Sequence, residues 1–101
     1  MKVLGLAGSP RRGGNTDTLM AEMVRGARGG GARVTTLYLR HYDINSCVGC
    51  EQCRGRGFCV RFEDGMSLFY PEIEKSQGLI LGSPVYNYNV SAPVKAFIDR
   101  L

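Results

Sequence analysis

Four cysteines, the whole complement of the chain, fall in one short segment: Cys47, Cys50, Cys53 and Cys59. Two-residue spacers separate the first three, and the fourth follows after five more residues. Such spacers let a loop curl so that successive sulfurs converge, and Gly49, Gly55 and Gly57 permit the tight turns this requires. Arg54, Arg56 and Arg61 add positive charge, which lowers thiol pKa and offsets the negative charge of a thiolate-ligated cluster. Three chemistries use a set of this kind. An iron–sulfur cluster, most simply [4Fe–4S], matches the C-x2-C-x2-C opening of the bacterial ferredoxin run. Structural zinc more often takes ligand pairs from two separated knuckles than three ligands from one run. A C-x-x-C redox or disulfide pair is the third. The plain alternative is a group of incidental buried thiols. Spacing and context favour the cluster.

A second stretch could bind an anion. Val3 to Ala7 is a short apolar run, as expected of a strand buried on both faces of a parallel sheet. Gly8 to Thr16 follows, rich in glycine, hydroxyls and arginine. Leu19, Met20, Met23, Val24 and Ala27 then recur at helical spacing, with Asn15 or Thr16 as the natural N-cap and Gly29 to Gly31 as the stop. A strand, a glycine-rich loop and a helix N-terminus together favour a phosphate. Ser9, Asn15, Thr16 and Thr18 can donate hydrogen bonds there, Gly14 is part of the same cofactor-binding loop, and Arg11 adds charge. The spacing from Gly8 to Gly13 matches the start of a P-loop, but Gly14-Asn15 stands where the lysine and hydroxyl must follow. The G-x-G-x-x-G dinucleotide fingerprint is also absent. A monophosphate such as that of FMN suits this loop better than ATP, GTP or a dinucleotide. The plain alternative is a solvent-exposed loop.

The rest of the chain must position these two stretches. Its 101 residues, 44% hydrophobic and 22% charged, suit one small globular domain. The net charge of +4 is spread along the sequence without an aromatic-interleaved basic run, so nothing indicates a nucleic-acid partner. No apolar stretch is long enough to span a bilayer, and no export signal is evident. An intracellular, cytoplasmic protein is expected, where clustered cysteines serve metal or redox chemistry more often than structural disulfides. Arg33 to Leu39 reads as a second strand, making a parallel βαβ unit with the first. His41, the lone histidine, reads as a surface residue. Glu63-Asp64 suits a helix N-terminus, with Phe69, Ile73 and Leu68 as the apolar face and Pro71 as a kink or restart. Gly78 to Gly82 is expected to be a third buried strand, and Pro93 to Leu101 a final amphipathic helix.

In an open parallel sheet, ligands sit beyond the carboxyl ends of the strands, at the switch point between the first and third in the flavodoxin-like order. The Ser9 loop and the Ser83 to Asn89 loop follow those two strands. Tyr86, Asn87 and Tyr88 could face a flat heteroaromatic ring, or serve ordinary packing or a subunit interface.

Gly8-Ser9-Pro10-Arg11 with Gly14-Asn15-Thr16, then Gly82-Ser83-Pro84-Val85-Tyr86 and Lys95-Ala96-Phe97-Ile98-Asp99-Arg100, resembles the NADPH-dependent FMN reductase family. The compact cysteine set points to its iron–sulfur flavoprotein branch. The resemblance implies a flavodoxin-like α/β fold, a three-layer parallel sheet in order 2-1-3, with one FMN and one [4Fe–4S] cluster per subunit. It assigns Ser9, Arg11, Asn15 and Thr16 to the FMN phosphate, and Pro84, Val85, Tyr86 and Asn87 to the ribityl and isoalloxazine. It makes Cys47, Cys50, Cys53 and Cys59 the cluster ligands. It also implies a dimer or tetramer and NAD(P)H or a reduced ferredoxin as electron donor.

The chain departs from the family in length. The flavodoxin order has a fourth and a fifth strand, and neither can be placed here. Residues 1–101 thus read as a single FMN-binding domain that is an N-terminal half, a truncated form, or a chain that completes its sheet by association. An electron-transferring flavoprotein oxidoreductase is the leading expectation, with no acid–base or nucleophilic constellation in evidence. A simple NAD(P)H-dependent FMN or quinone reductase with a zinc or disulfide loop, and a non-catalytic fragment, are the alternatives.

Overall fold

The computed structural model describes all 101 residues. The elements are β1 (Lys2–Ala7), α1 (Asn15–Gly29), β2 (Arg33–Tyr38), a single 3-10 turn (Leu39–His41), α2 (Met66–Lys75), β3 (Gly78–Gly82) and α3 (Ala92–Asp99). The three strands are parallel and ordered β2-β1-β3. This is the arrangement expected of the first three strands of a flavodoxin-like sheet.

β1 is central, and its apolar run is buried from Val3 to Ala7. Alternation sends Leu4 and Leu6 to one face, where they join Leu39, Met66, Phe69, Val94 and Phe97 in the core beneath α2 and α3. Phe69 meets Phe97 edge-on at 5.8 Å and Tyr42 at 5.0 Å, a geometry that aromatic quadrupoles favour. On the other face α1 packs so closely that a Cβ on Gly5 would stand 3.2 Å from Met20 Cε.

Five local expectations change. β2 stops at Tyr38, because Leu39 opens the 3-10 turn and drops into the core. Gly14, not Asn15 or Thr16, occupies the N-cap of α1, and no side chain caps it. α2 runs through Pro71 without restarting; the proline has no N–H to give the helix, which is anchored on both sides of it by Phe69 and Ile73. β3 is only half-buried, with Leu79 48% and Leu81 38% exposed, because it has no strand on its far side. The apolar face of α1 is likewise split. Met20 and Val24 are buried against the sheet, whereas Leu19 and Met23 face solvent.

Candidate functional site

The chain carries Gly-Ser-Pro twice, at the carboxyl ends of β1 and of β3, and the fold sets the two copies side by side. Gly8 N–H donates to the Gly82 carbonyl at 2.7 Å. The buried Ser91 hydroxyl donates to the Gly8 carbonyl at 2.6 Å, and Ser91 N–H donates to Ser83 Oγ at 2.9 Å. Gly8 tolerates no side chain: a Cβ would fall 2.0 Å from Val94 Cγ2 and 2.8 Å from Gly82 O. The two loops therefore form one rigid floor.

Above that floor, Ser9, Arg11, Asn15, Thr16, Pro84, Val85 and Tyr86 line one cavity of about 610 Å³, together with Leu19 and Met23 of α1. Its size falls within the range of small-molecule and cofactor sites. Ser9 Oγ accepts from Arg11 N–H at 3.1 Å, which folds the loop back on itself. The Arg11 guanidinium lies across Gly14, where a Cβ would stand 2.8 Å from its Nε. With no side-chain cap, the first-turn N–H groups of α1 are left for an external acceptor. Residues present thus fit a phosphate-bearing cofactor. Thr18 and Asn87 lie outside the cavity lining. The Thr18 hydroxyl donates to the Gly14 carbonyl at 3.0 Å, closing the first helical turn. Asn87 and Tyr88 have φ of +49° and +64° and form the tip of a tight hairpin closed by Tyr86 and Asn89. That conformation turns Tyr88 fully into solvent.

Two residues of this site escape a reading of the sequence. Asp17 accepts from Gly13 N–H at 2.9 Å and from both terminal nitrogens of Arg40, at 2.9 and 3.2 Å. Arg40 also donates to the Ser9 carbonyl at 3.2 Å and lies 4.6 Å over the Tyr38 ring. The clasp ties the loop to the end of β2. The Arg40 hydrogen bonds, foremost, hold the Asp17 carboxyl below its ordinary value, so its charge is already paired and does not repel an anion. The sequence carried one clue: an acidic residue beside an anion loop needs a cation of its own.

The cysteine segment has no regular secondary structure. Gly49, Glu51, Gly55 and Gly57 all have positive φ, between +63° and +80°, which curls the chain. Gly49 N–H points to Cys47 Sγ at 3.5 Å. Cys47, Cys50 and Cys53 are exposed, Cys59 is half-buried, and all four are free. All four line a single cavity of about 250 Å³ with Phe58, Phe62 and Arg100. No three acidic, histidine or cysteine side chains close on one point as a lone metal ion requires. Four thiols on one cavity, with no histidine or carboxylate required, fit a thiolate-ligated group in their donor chemistry. Of the three nearby arginines, Arg61 lines the cavity, while Arg54 pairs with exposed Glu51 at 2.7 Å.

The base of this segment is pinned by polar groups that the sequence did not reveal. Gly65 N–H donates to the Asp43 carbonyl at 2.8 Å. Asp64 accepts from Asn45 N–H at 2.8 Å and pairs with buried Arg100. Burial opposes the charged form of Asp64, but Arg100, Asn45 and Met66 N–H outweigh it and hold its carboxyl far below the usual range. The Tyr70 hydroxyl donates to the Arg100 carbonyl and accepts from Cys59 N–H at 3.3 Å. For the Cys59 thiol, burial again favours the neutral form, yet Arg61 N–H and Arg100 prevail and bring it below its ordinary value.

The parallel order β2-β1-β3 with a glycine-rich loop at its switch point is a flavodoxin-like arrangement. A model of the NADPH-dependent FMN reductase family matches residues 1–101, and the chain belongs to that family. It is 38% identical over 101 residues to an iron–sulfur flavoprotein of Archaeoglobus fulgidus, covering 100% of this chain and 46% of that protein. It is 37% identical over 100 residues to one of Methanocaldococcus jannaschii, covering 99% of this chain and 51% of the relative. The chain thus spans about half the length of the curated relatives it matches. Among solved structures it is similar to RosB with a bound riboflavin-phosphate intermediate, at a TM-score of 0.78 and 18% identity, over 97% of this chain and 40% of that one. That likeness concerns the fold.

Proposed function

We propose that residues 1–101 form the FMN- and cluster-holding part of a flavin-dependent iron–sulfur oxidoreductase. One observation carries the reading: the two candidate sites stand at opposite ends of α3. Ser91 at its start fastens the paired Gly-Ser-Pro loops, and Arg100 just past its end lines the four-cysteine cavity. Eight helical residues rise about 12 Å, so one short rigid rod fixes the distance between the sites.

When bound, FMN exchanges two electrons as hydride and a [4Fe–4S] cluster passes one at a time, so together they link a two-electron partner to a one-electron partner. The chain supplies position and field. Ser9, Arg11, Asn15 and Thr16, with the α1 N-terminus, would receive the FMN phosphate, while Gly14 and Thr18 would shape the first turn beneath it. Pro84, Val85 and Tyr86 would follow the ribityl and ring and keep water from one face, with Asn87 shaping the hairpin that carries Tyr86. Cys47, Cys50, Cys53 and Cys59 hold the cluster. The donor is NAD(P)H or a reduced ferredoxin, the assembly a dimer or tetramer, and the setting cytoplasmic, with neither nucleic acid nor membrane as partner. No helix is long and apolar enough to cross a membrane.

The half-exposed β3, with Leu79 and Leu81 uncovered, favours a second reading: this part alone is not an enzyme and needs a further strand to hold flavin. Anaerobic purification followed by an absorption spectrum and iron, sulfide, zinc and FMN analysis separates the two. Flavin bands with about four irons and four sulfides per chain support the relay. Flavin with zinc or without metal leaves a simple flavin reductase, and metal without flavin supports the second reading.

A further inference from the structure

Arg100 is 3% exposed, a rare burial for a guanidinium. One nitrogen, Nη1, donates to the Asn45 carbonyl at 3.1 Å and pairs with Asp64, whose side chain is 4% exposed. The guanidinium plane packs 5.0 Å from the Phe62 ring centroid. Nε and Nη2 are buried and have no oxygen or nitrogen partner; the group on their side is the Cys59 thiol, one of the four sulfurs of the cavity. Orphaned donors of this kind are costly, and more so when they carry charge. A buried ion pair is itself poor evidence of stabilisation, since packed apolar residues do as well or better in that role. The unused donors therefore need a partner, and Arg100 lines the cavity ringed by the four cysteines, beside the Cys59 thiol.

We infer that Arg100 is a positioning residue that aims Nε–H and Nη2–H at the sulfurs of the cysteine-held cluster and thereby sets its reduction potential. This rests on the cluster reading above. Asp64 and Asn45 fix one edge of the fork, Phe62 fixes its plane, and the opposite edge is left for sulfur. One-electron reduction by an external reductant such as dithionite adds one negative charge to the cluster. A fixed guanidinium favours that more negative state and raises the potential; hydrogen bonds to sulfur and net charge are the known levers. Tyr70 bridges the Arg100 carbonyl and Cys59 N–H, so the donor and the ligand move together.

The test is a redox titration of the reconstituted full chain against R100K and R100M, followed by electron paramagnetic resonance, with iron and sulfide counted on each sample. Arg100→Lys keeps a cation for Asp64 but removes the second edge of the fork. Its cluster content should match wild type, and its reduction equilibrium should shift about tenfold toward the oxidised form, about 59 mV for a one-electron couple. R100M should shift it further in the same direction. Wild type without iron and sulfide sinks the cluster reading and this inference together. A loaded R100K with an unchanged potential sinks this inference alone. Wild-type protein labelled with nitrogen-15 in its arginine side chains decides the matter if both variants fail to fold. One slowly exchanging Nε–H signal must broaden when the cluster is loaded, and no change in any such signal overturns the assignment.

Discussion

Replacing Gly8 with alanine tests whether the two Gly-Ser-Pro loops form one rigid floor. The new methyl would lie 2.0 Å from Val94 Cγ2 and 2.8 Å from Gly82 O, while Val94 itself is fully buried. Neither neighbour can swing away, so the β1–α1 loop must lift. Lifting it strains the packing by about 1–3 kcal/mol. It also weakens the Gly8 N–H to Gly82 bond and the Ser91 to Gly8 bond, adding about 1–3 kcal/mol for buried groups left short of partners. A loss of about 3 kcal/mol is expected from both sources. Val94→Ala alone removes two buried carbons at about 0.8 kcal/mol each and leaves a small cavity, for about 2 kcal/mol. In the double variant the Cγ2 clash is gone and Val94 Cβ remains at an ordinary 3.5 Å, but the Gly82 oxygen still crowds the methyl. The pair should then cost about 3 kcal/mol instead of the additive 5, a coupling of about 2 kcal/mol. Urea unfolding of the four proteins, followed by far-UV circular dichroism at constant m-value, measures it. Additivity within about 0.5 kcal/mol would refute the close approach of these two chains.

Three further outcomes follow from the same geometry. Asp64 and Asp17 have depressed carboxyl pKa values in the fold, so their contribution is complete above the unfolded range near about pH 4 and lost as pH falls through the folded values. Unfolding free energy should drop between pH 6 and pH 3, and D64N should flatten that slope as well as lower stability at pH 6; equal slopes in the two proteins would contradict the buried pair. R40M unclasps Asp17 and the Ser9 carbonyl, so FMN affinity should fall about tenfold, equivalent to 1.4 kcal/mol, by flavin fluorescence quenching. Unchanged affinity in a folded R40M would remove Arg40 from any role in shaping the phosphate loop. C59S should lose most bound iron and sulfide while FMN binding stays within about twofold, because Cys59 and the Gly-Ser-Pro loops lie at opposite ends of α3; equal losses of both cofactors would mean the sites are not separable.

What could be read from the sequence, and what could not, divides along a physical line. The β1 run and the glycine loop are local: apolar period and conformational freedom dictate them without knowledge of neighbours, and parallel pairing with β2 follows from the βαβ unit. The ring of thiols is local for the same reason, since spacers and positive-φ glycines act within a few residues. Asp17 with Arg40, and Asp64 with Arg100, are separated by 23 and 36 residues, and charge carries no period that marks a partner at such range. Hydrophobic periodicity also overstated burial. It identified Leu19 and Met23 as an apolar face of α1 and β3 as a buried strand, but a face is buried only if something covers it. Leu19, Met23 and Leu81 adjoin the 610 Å³ cavity, so whatever covers them also closes the proposed flavin site. Flavin affinity and shielding of that apolar surface are then two readouts of one event, and should rise together on the addition of a further strand or a second copy.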